Sequence, residues 1–99
     1  YGLTLGQPKA GVVSTPDAGG KVAVSNDGGT GKPLLMTATP NKVLLVSNAS
    51  TGEVVTTTTD KDGRFSVKLA GAKGESIQLL LVDPADQATT SDFVTIPVP

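Results

Sequence analysis

Apolar and polar positions in this chain alternate with a period of two wherever a pattern is sustained. In Arg64–Leu69, Phe65, Val67 and Leu69 lie on one side and Arg64, Ser66 and Lys68 on the other. Successive side chains of a strand point to opposite faces, so this spacing predicts a half-buried strand. Lys21–Asn26 repeats it, with Val22 and Val24 against Lys21, Ala23 and Ser25. Glu53–Thr59 (EVVTTTT) is β-branched almost throughout, which suits a pleated strand and disfavours a helix. Lys42–Asn48 and Glu75–Asp83 are longer apolar strands, and Gly11–Thr15, the apolar run Pro33–Ala38 and Ser91–Pro97 are shorter candidates.

Turn chemistry separates these runs. Pro16–Gly20, Asn26–Gly31, Thr39–Asn41, Ala49–Gly52, Asp60–Gly63 and Ala70–Gly74 are turns, and Pro84–Thr90 is expected to be a loop. Asp62-Gly63 is the strongest signal, because tight hairpins require the positive φ that glycine adopts without cost. No apolar pattern of period 3.6 has useful length. Seven or eight short strands at intervals of about 8–12 residues predict an all-β fold, a sandwich with Greek-key character. Residues 1–10, with Gly2, Gly6 and Pro8 and no alternation, are expected to form an extended lead-in or linker. Residues 11–97 are expected to form a single sandwich domain, and 98–99 a C-terminal linker end.

Composition narrows the chemistry. Ninety-nine residues suit one domain, and 37% apolar content with three aromatics requires a core of Val, Leu and Ile in thin layers, with Phe65 and Phe93 inside it. The chain has no His and no Cys, which removes Ser-His-Asp triads, thiolate nucleophiles, disulfides and His- or Cys-ligated zinc. Eight basic against nine acidic residues argue against nucleic acid and anionic lipid as partners. No apolar run approaches the ~20 residues of a membrane-spanning helix, so direct membrane insertion is not expected. The N-terminus lacks the basic segment and apolar stretch of a signal peptide.

Few constellations carry chemistry. Asn26–Gly31 is rich in glycine, but it lacks the GxxxxGK[ST] spacing and a following helix, and is a turn rather than a phosphate loop. Asp60-Lys61-Asp62-Gly63 starts like a calcium loop. With Asp83 and Asp86 it supplies the candidate ligands, since Ca²⁺ takes six to eight oxygens; turn geometry explains the same aspartates without a metal. Lys21 and Asp92 are the pair to consider for an intramolecular isopeptide bond, although Lys21 falls on the polar face of its strand. Asn48-Ala49-Ser50 satisfies the N-glycosylation pattern. Neither GxSxG nor SxxK is present, and no pair among the acids is singled out for glycosidic chemistry, so no enzymatic activity is expected.

From Lys42 onward the features fall in a familiar order. An apolar strand ends in Asn48, a Ser50-Thr51-Gly52 turn leads to a Thr-rich strand, and Asp62-Gly63-Arg64-Phe65-Ser66 follows. Gly74-Glu75 then introduces an apolar strand that reaches Asp83. This order resembles the bacterial immunoglobulin-like and carboxypeptidase-regulatory-like repeats of secreted and surface proteins. Ala85-Asp86-Gln87 stands where the family has Ala-Gly-Asn, and the first forty residues match poorly. The resemblance implies an immunoglobulin-like β-sandwich that acts as a spacer, adhesion or docking module at the cell surface, in the envelope or outside the cell. Its expected partners are neighbouring domains or another surface protein. A calcium- or glycan-binding module, or an accessory domain of a larger enzyme, is the alternative.

The same pattern assigns strand phase. Leu44 and Val46 take inward positions, which leaves Val43 and Leu45 outward. With Ile77, Leu79 and Leu81 inward, Leu80 and Val82 are outward too. If these strands are neighbours, Val43, Leu45, Leu80 and Val82 form an apolar stripe on an outer face, and contiguous exposed apolar patches mark interaction sites. Either a partner covers this stripe, or the chain's own Leu3, Leu5 or Pro33-Leu34-Leu35-Met36 does.

Overall fold

The computed structural model describes residues 2–29 and 31–99; Tyr1, the terminal aromatic, and Thr30, within the glycine-rich turn, lie outside the described residues. Seven strands follow in order, and no helix occurs among the described residues: β1 Lys21–Ser25, β2 Val43–Asn48, β3 Val54–Thr58, β4 Ser66–Ala70, β5 Ser76–Asp83, β6 Asp86–Thr90 and β7 Val94–Pro97. They form two antiparallel sheets. The smaller pairs β1 with β4, and the larger runs β3-β2-β5-β6, with β7 also on β5. Inward side chains from both sheets meet in one cluster. Val22, Val24 and Leu69 come from the smaller sheet, and Leu44, Val46, Ile77, Leu79 and Leu81 from the larger. The result is a sandwich-like all-β domain whose core is aliphatic apart from Phe65 and Met36.

Several expectations are corrected. Residues 2–10 are no free linker. The N–H of Gly6 donates to the Thr37 carbonyl at 2.9 Å, that of Lys9 to the Leu35 carbonyl at 2.8 Å, and Leu5 bridges Ala38. Leu3 and Leu5 pack against the core, because a small domain with few aromatics recruits the apolar area it has. At the other end Val98 is buried: its N–H donates to the Glu75 carbonyl and its carbonyl accepts from Gly74, so pairing continues past Pro97. Gly11–Thr15 is reduced to a bridge between Val13 and Val24, and Pro33–Ala38 forms no strand. The loop expected at Pro84–Thr90 contains β6.

Phe65 is buried as expected, but Phe93 is 66% exposed. Val94 and Ile96 take the inward phase of β7, and a period of two cannot also bring Phe93 inside.

Candidate functional site

The expected apolar stripe is assembled by the register of β2 on β5. Val43 stands opposite Val82 and Leu45 opposite Leu80, while Leu44 opposes Leu81 and Val46 opposes Leu79 on the inner face. The inner four are fully buried; the outer four are half-buried. The outer side chains floor a groove of about 410 Å³, which Pro84, Gln87 and Thr90 also line. Its wall follows from an irregularity in β6. Asp83 pairs with Asp86 and Val82 with Thr90, so residues 87–89 have no counterpart on β5 and bulge beside the stripe. Past Val43 and Val82, Lys42 and Asp83 form a 3.6 Å ion pair.

The chain's own apolar segments go elsewhere. None of Leu3, Leu5, Leu34, Leu35 or Met36 lines the groove; Leu3, Leu5 and Leu35 pack against the inter-sheet core and Met36 belongs to it. Self-covering by those residues is therefore overturned. The groove has an aliphatic floor of Val43, Leu45, Leu80 and Val82 and a margin that includes the polar Gln87 and Thr90.

The four candidate calcium ligands separate into two places, Asp60 and Asp62 in the turn between β3 and β4, Asp83 and Asp86 at the β5–β6 hairpin. Oδ1 of Asp60 accepts from the N–H groups of Asp62 and Arg64 at 2.8 and 2.9 Å. These bonds, that from Arg64 foremost, hold the Asp60 carboxyl below its ordinary 3.8. Asp62 pairs with the Arg64 guanidinium at 2.9 Å. At the β5–β6 hairpin, Asp83 accepts from the Ala85 N–H, and Asp86 from the Ala88 N–H and the Thr89 hydroxyl. Asp60, Asp83 and Asp86 each accept N–H groups of their own turns while Asp62 is held by Arg64, and no group of three acidic side chains comes together among the described residues. A polar cleft of about 480 Å³ lies beside Asp60, between Asp27, Thr58, Arg64 and Ser66; its guanidinium is already committed to Asp62.

Two buried asparagines escaped the reading of the sequence as structural hubs. Asn26 donates through Nδ2 to the carbonyls of Met36 and Gly63, both at 2.8 Å, and accepts the Phe65 N–H at 2.9 Å. Asn48 accepts from the N–H groups of Ser50 and Thr51, and donates to the Ala70 carbonyl and to Oε1 of Glu75. Both are fully buried. The only prior signal was their place at strand ends, where a carboxamide satisfies backbone groups that the ladder leaves open. Burial also takes Asn48 out of reach as a glycan acceptor in the folded chain. Lys21, in β1, and Asp92, in the connection between β6 and β7, are both exposed, unlike the buried pair an isopeptide bond needs.

Comparison with protein-family models, with curated proteins and with solved structures finds no match for this chain. No helix among the described residues is long and apolar enough to cross a membrane.

Proposed function

We propose that this domain is a non-catalytic structural and interaction module, an immunoglobulin-like sandwich from a bacterial secreted, surface or envelope-associated protein. Its docking surface is the outer face of β2 and β5, and the partner is a neighbouring domain presenting an apolar patch. One observation carries the reading: Val43, Leu45, Leu80 and Val82 lie side by side in register on the outer face, while Leu3, Leu5, Leu35 and Met36, which could cover them, are used at the core. The remaining polar chemistry agrees with it. Buried Asn26, Asn48, Thr59 and Ser91 hold backbone groups, and the turn aspartates hold N–H donors. The polar margin of the groove leaves the free domain in water and fixes the orientation of whatever docks.

The double variant Leu45→Thr/Leu80→Thr tests the proposal. It is expected to abolish binding of an apolar fluorescent dye to the native domain while Tm changes by less than about 5 °C, since a small domain shifts about 4–8 °C per kcal/mol. A collapse of Tm would show that the stripe belongs to the stabilising core and would overturn the docking role. A rise of several degrees in millimolar calcium would favour the calcium-binding alternative instead.

A further inference from the structure

Strand edges carry unpaired N–H and C=O groups, and proteins guard them with charge, proline, bulges or brevity. The edges of this domain differ in how they are guarded. β4, at the edge of the smaller sheet, carries exposed Lys68. The segment beyond β1 is reduced to the Val13–Val24 bridge and is followed by Pro16. At the far edge of the larger sheet, β6 is bulged and β7 ends in Pro97. β3, the near edge, has none of these: Val54–Thr58 (VVTTT) is uncharged, free of proline and paired with β2 without a register shift. Glu53, which precedes it, is turned away, its Oε1 accepting the Ala70 N–H at 2.7 Å.

The parity of the β2–β3 ladder says which groups are open. The N–H of Asn48 donates to the Glu53 carbonyl and that of Thr59 to the Lys42 carbonyl. Residues 53, 55, 57 and 59 therefore bond towards β2, and alternation turns the N–H and C=O of Val54, Thr56 and Thr58 outward. No other described strand pairs with that edge. The side chains of these three are exposed, Val54 to 59%.

We infer that β3 pairs edge to edge, antiparallel and centred on Thr56, with β3 of a second copy of this chain, which extends the larger sheet across a two-fold axis. This register is self-complementary. Val54 of each copy meets Thr58 of the other and Thr56 meets its own counterpart, so every outward group finds a partner. It also avoids like charges along the paired strands, because Glu53 falls opposite Thr59 and Asp60 opposite Gly52. Cross-strand threonine pairs and the β-branched contact of Val54 add to the backbone bonds. The groove over β2 and β5 takes no part, so this pairing and the docking role stand or fall separately.

Sedimentation equilibrium of the full chain from micromolar to millimolar concentration, with amide hydrogen exchange followed by NMR on the same samples, tests the pairing. A dimer is expected in which the N–H groups of Val54, Thr56 and Thr58 gain protection as it fills, whereas those of Val55 and Thr57 are protected throughout. Thr56→Lys, which sets two ammonium groups opposite each other, is expected to weaken the dimer by about two- to fivefold; Thr95→Lys, at the far edge, leaves it unchanged. A chain that stays monomeric at millimolar concentration, or a dimer that neither protects those three amides nor responds to Thr56→Lys, would overturn the inference. Protection gained only when an extended peptide of another sequence is added would overturn the second copy as occupant.

Discussion

The backbone N–H of Phe65 donates to Oδ1 of Asn26 at 2.9 Å, in a buried contact that spans 39 positions of sequence. The same carboxamide holds the carbonyls of Met36 and Gly63, so one side chain joins the end of β1, the apolar run before β2 and the β3–β4 turn. Asn26→Ala leaves those groups buried without a partner, at about 1–3 kcal/mol each. The expected loss in urea unfolding is about 3 kcal/mol or more. Asn26→Asp is expected to be worse near neutral pH, since it sets a carboxylate against two carbonyl oxygens. A loss below about 1 kcal/mol for the alanine variant would show that Asn26 is not the hub its contacts describe.

Gly63 and Gly52 separate backbone conformation from packing. Both have positive φ, 78° and 81°, but a Cβ on Gly63 would run into the Ala38 carbonyl oxygen, whereas nothing lies within 4 Å of one on Gly52. Gly52→Ala therefore meets only the left-handed penalty of about 1–2 kcal/mol. Gly63→Ala adds a clash with backbone, and its loss of stability is expected to be at least about twice as large. Equal losses would mean that the turn moves away from Ala38 without cost.

Neighbouring leucines on β2 should respond in opposite ways. Leu44 is fully buried between the sheets and Leu45 is half-buried on the outer face. Leu44→Ala is expected to cost about 2–5 kcal/mol through lost burial and a cavity, and Leu45→Ala about 1 kcal/mol or less. The two phenylalanines give the same contrast. Phe65→Ala is expected to cost about 3–5 kcal/mol, while Phe93→Ser stays within about 0.5 kcal/mol.

Asp60 and Asp17 make acid stability legible. The Arg64 N–H holds the Asp60 carboxyl below 3.8, and the Lys21 N–H does the same for Asp17. A depressed folded pKa contributes stability that is present above the unfolded value and is lost as pH falls through the folded value. Asp60→Asn keeps an accepting oxygen but not the charge. Wild type is therefore expected to be the more stable above the ordinary 3.8, with the difference lost as pH falls through the lowered folded value. A difference that persists in acid would trace the effect to turn geometry instead of charge.

Strand positions were legible wherever local alternation and turn chemistry coincided. β1, β2, β3 and β5 fall within a residue or two of their expected bounds, and β4 begins two residues late because Phe65 is tied to Asn26. The four stripe residues were also legible, since strand phase is a local property and only the pairing of β2 with β5 had to be supplied. Illegible were features fixed by distant partners. Residues 4–9 look like part of a linker until residues 35–39 lie beside them, and Val98 looks terminal until Glu75 pairs with it. The bulge in β6 that walls the groove has no local signature, because it depends on how residues 86–90 meet a strand already committed to β2.

Periodicity, β-branching and glycine placement, read from the sequence alone, determined an all-β chain with aliphatic strands and no nucleophile or metal chemistry built on His or Cys. Each of those properties is written within a few residues, where steric preference and side-chain alternation act. Tertiary structure decided which apolar residues are core and which are surface. It sent Leu3, Leu5, Met36 and Val98 inward, put Phe93 outside, and left the stripe open beside an unguarded β3. Burial belongs to pairs of elements rather than to one element, so it becomes defined only when both sheets are in place.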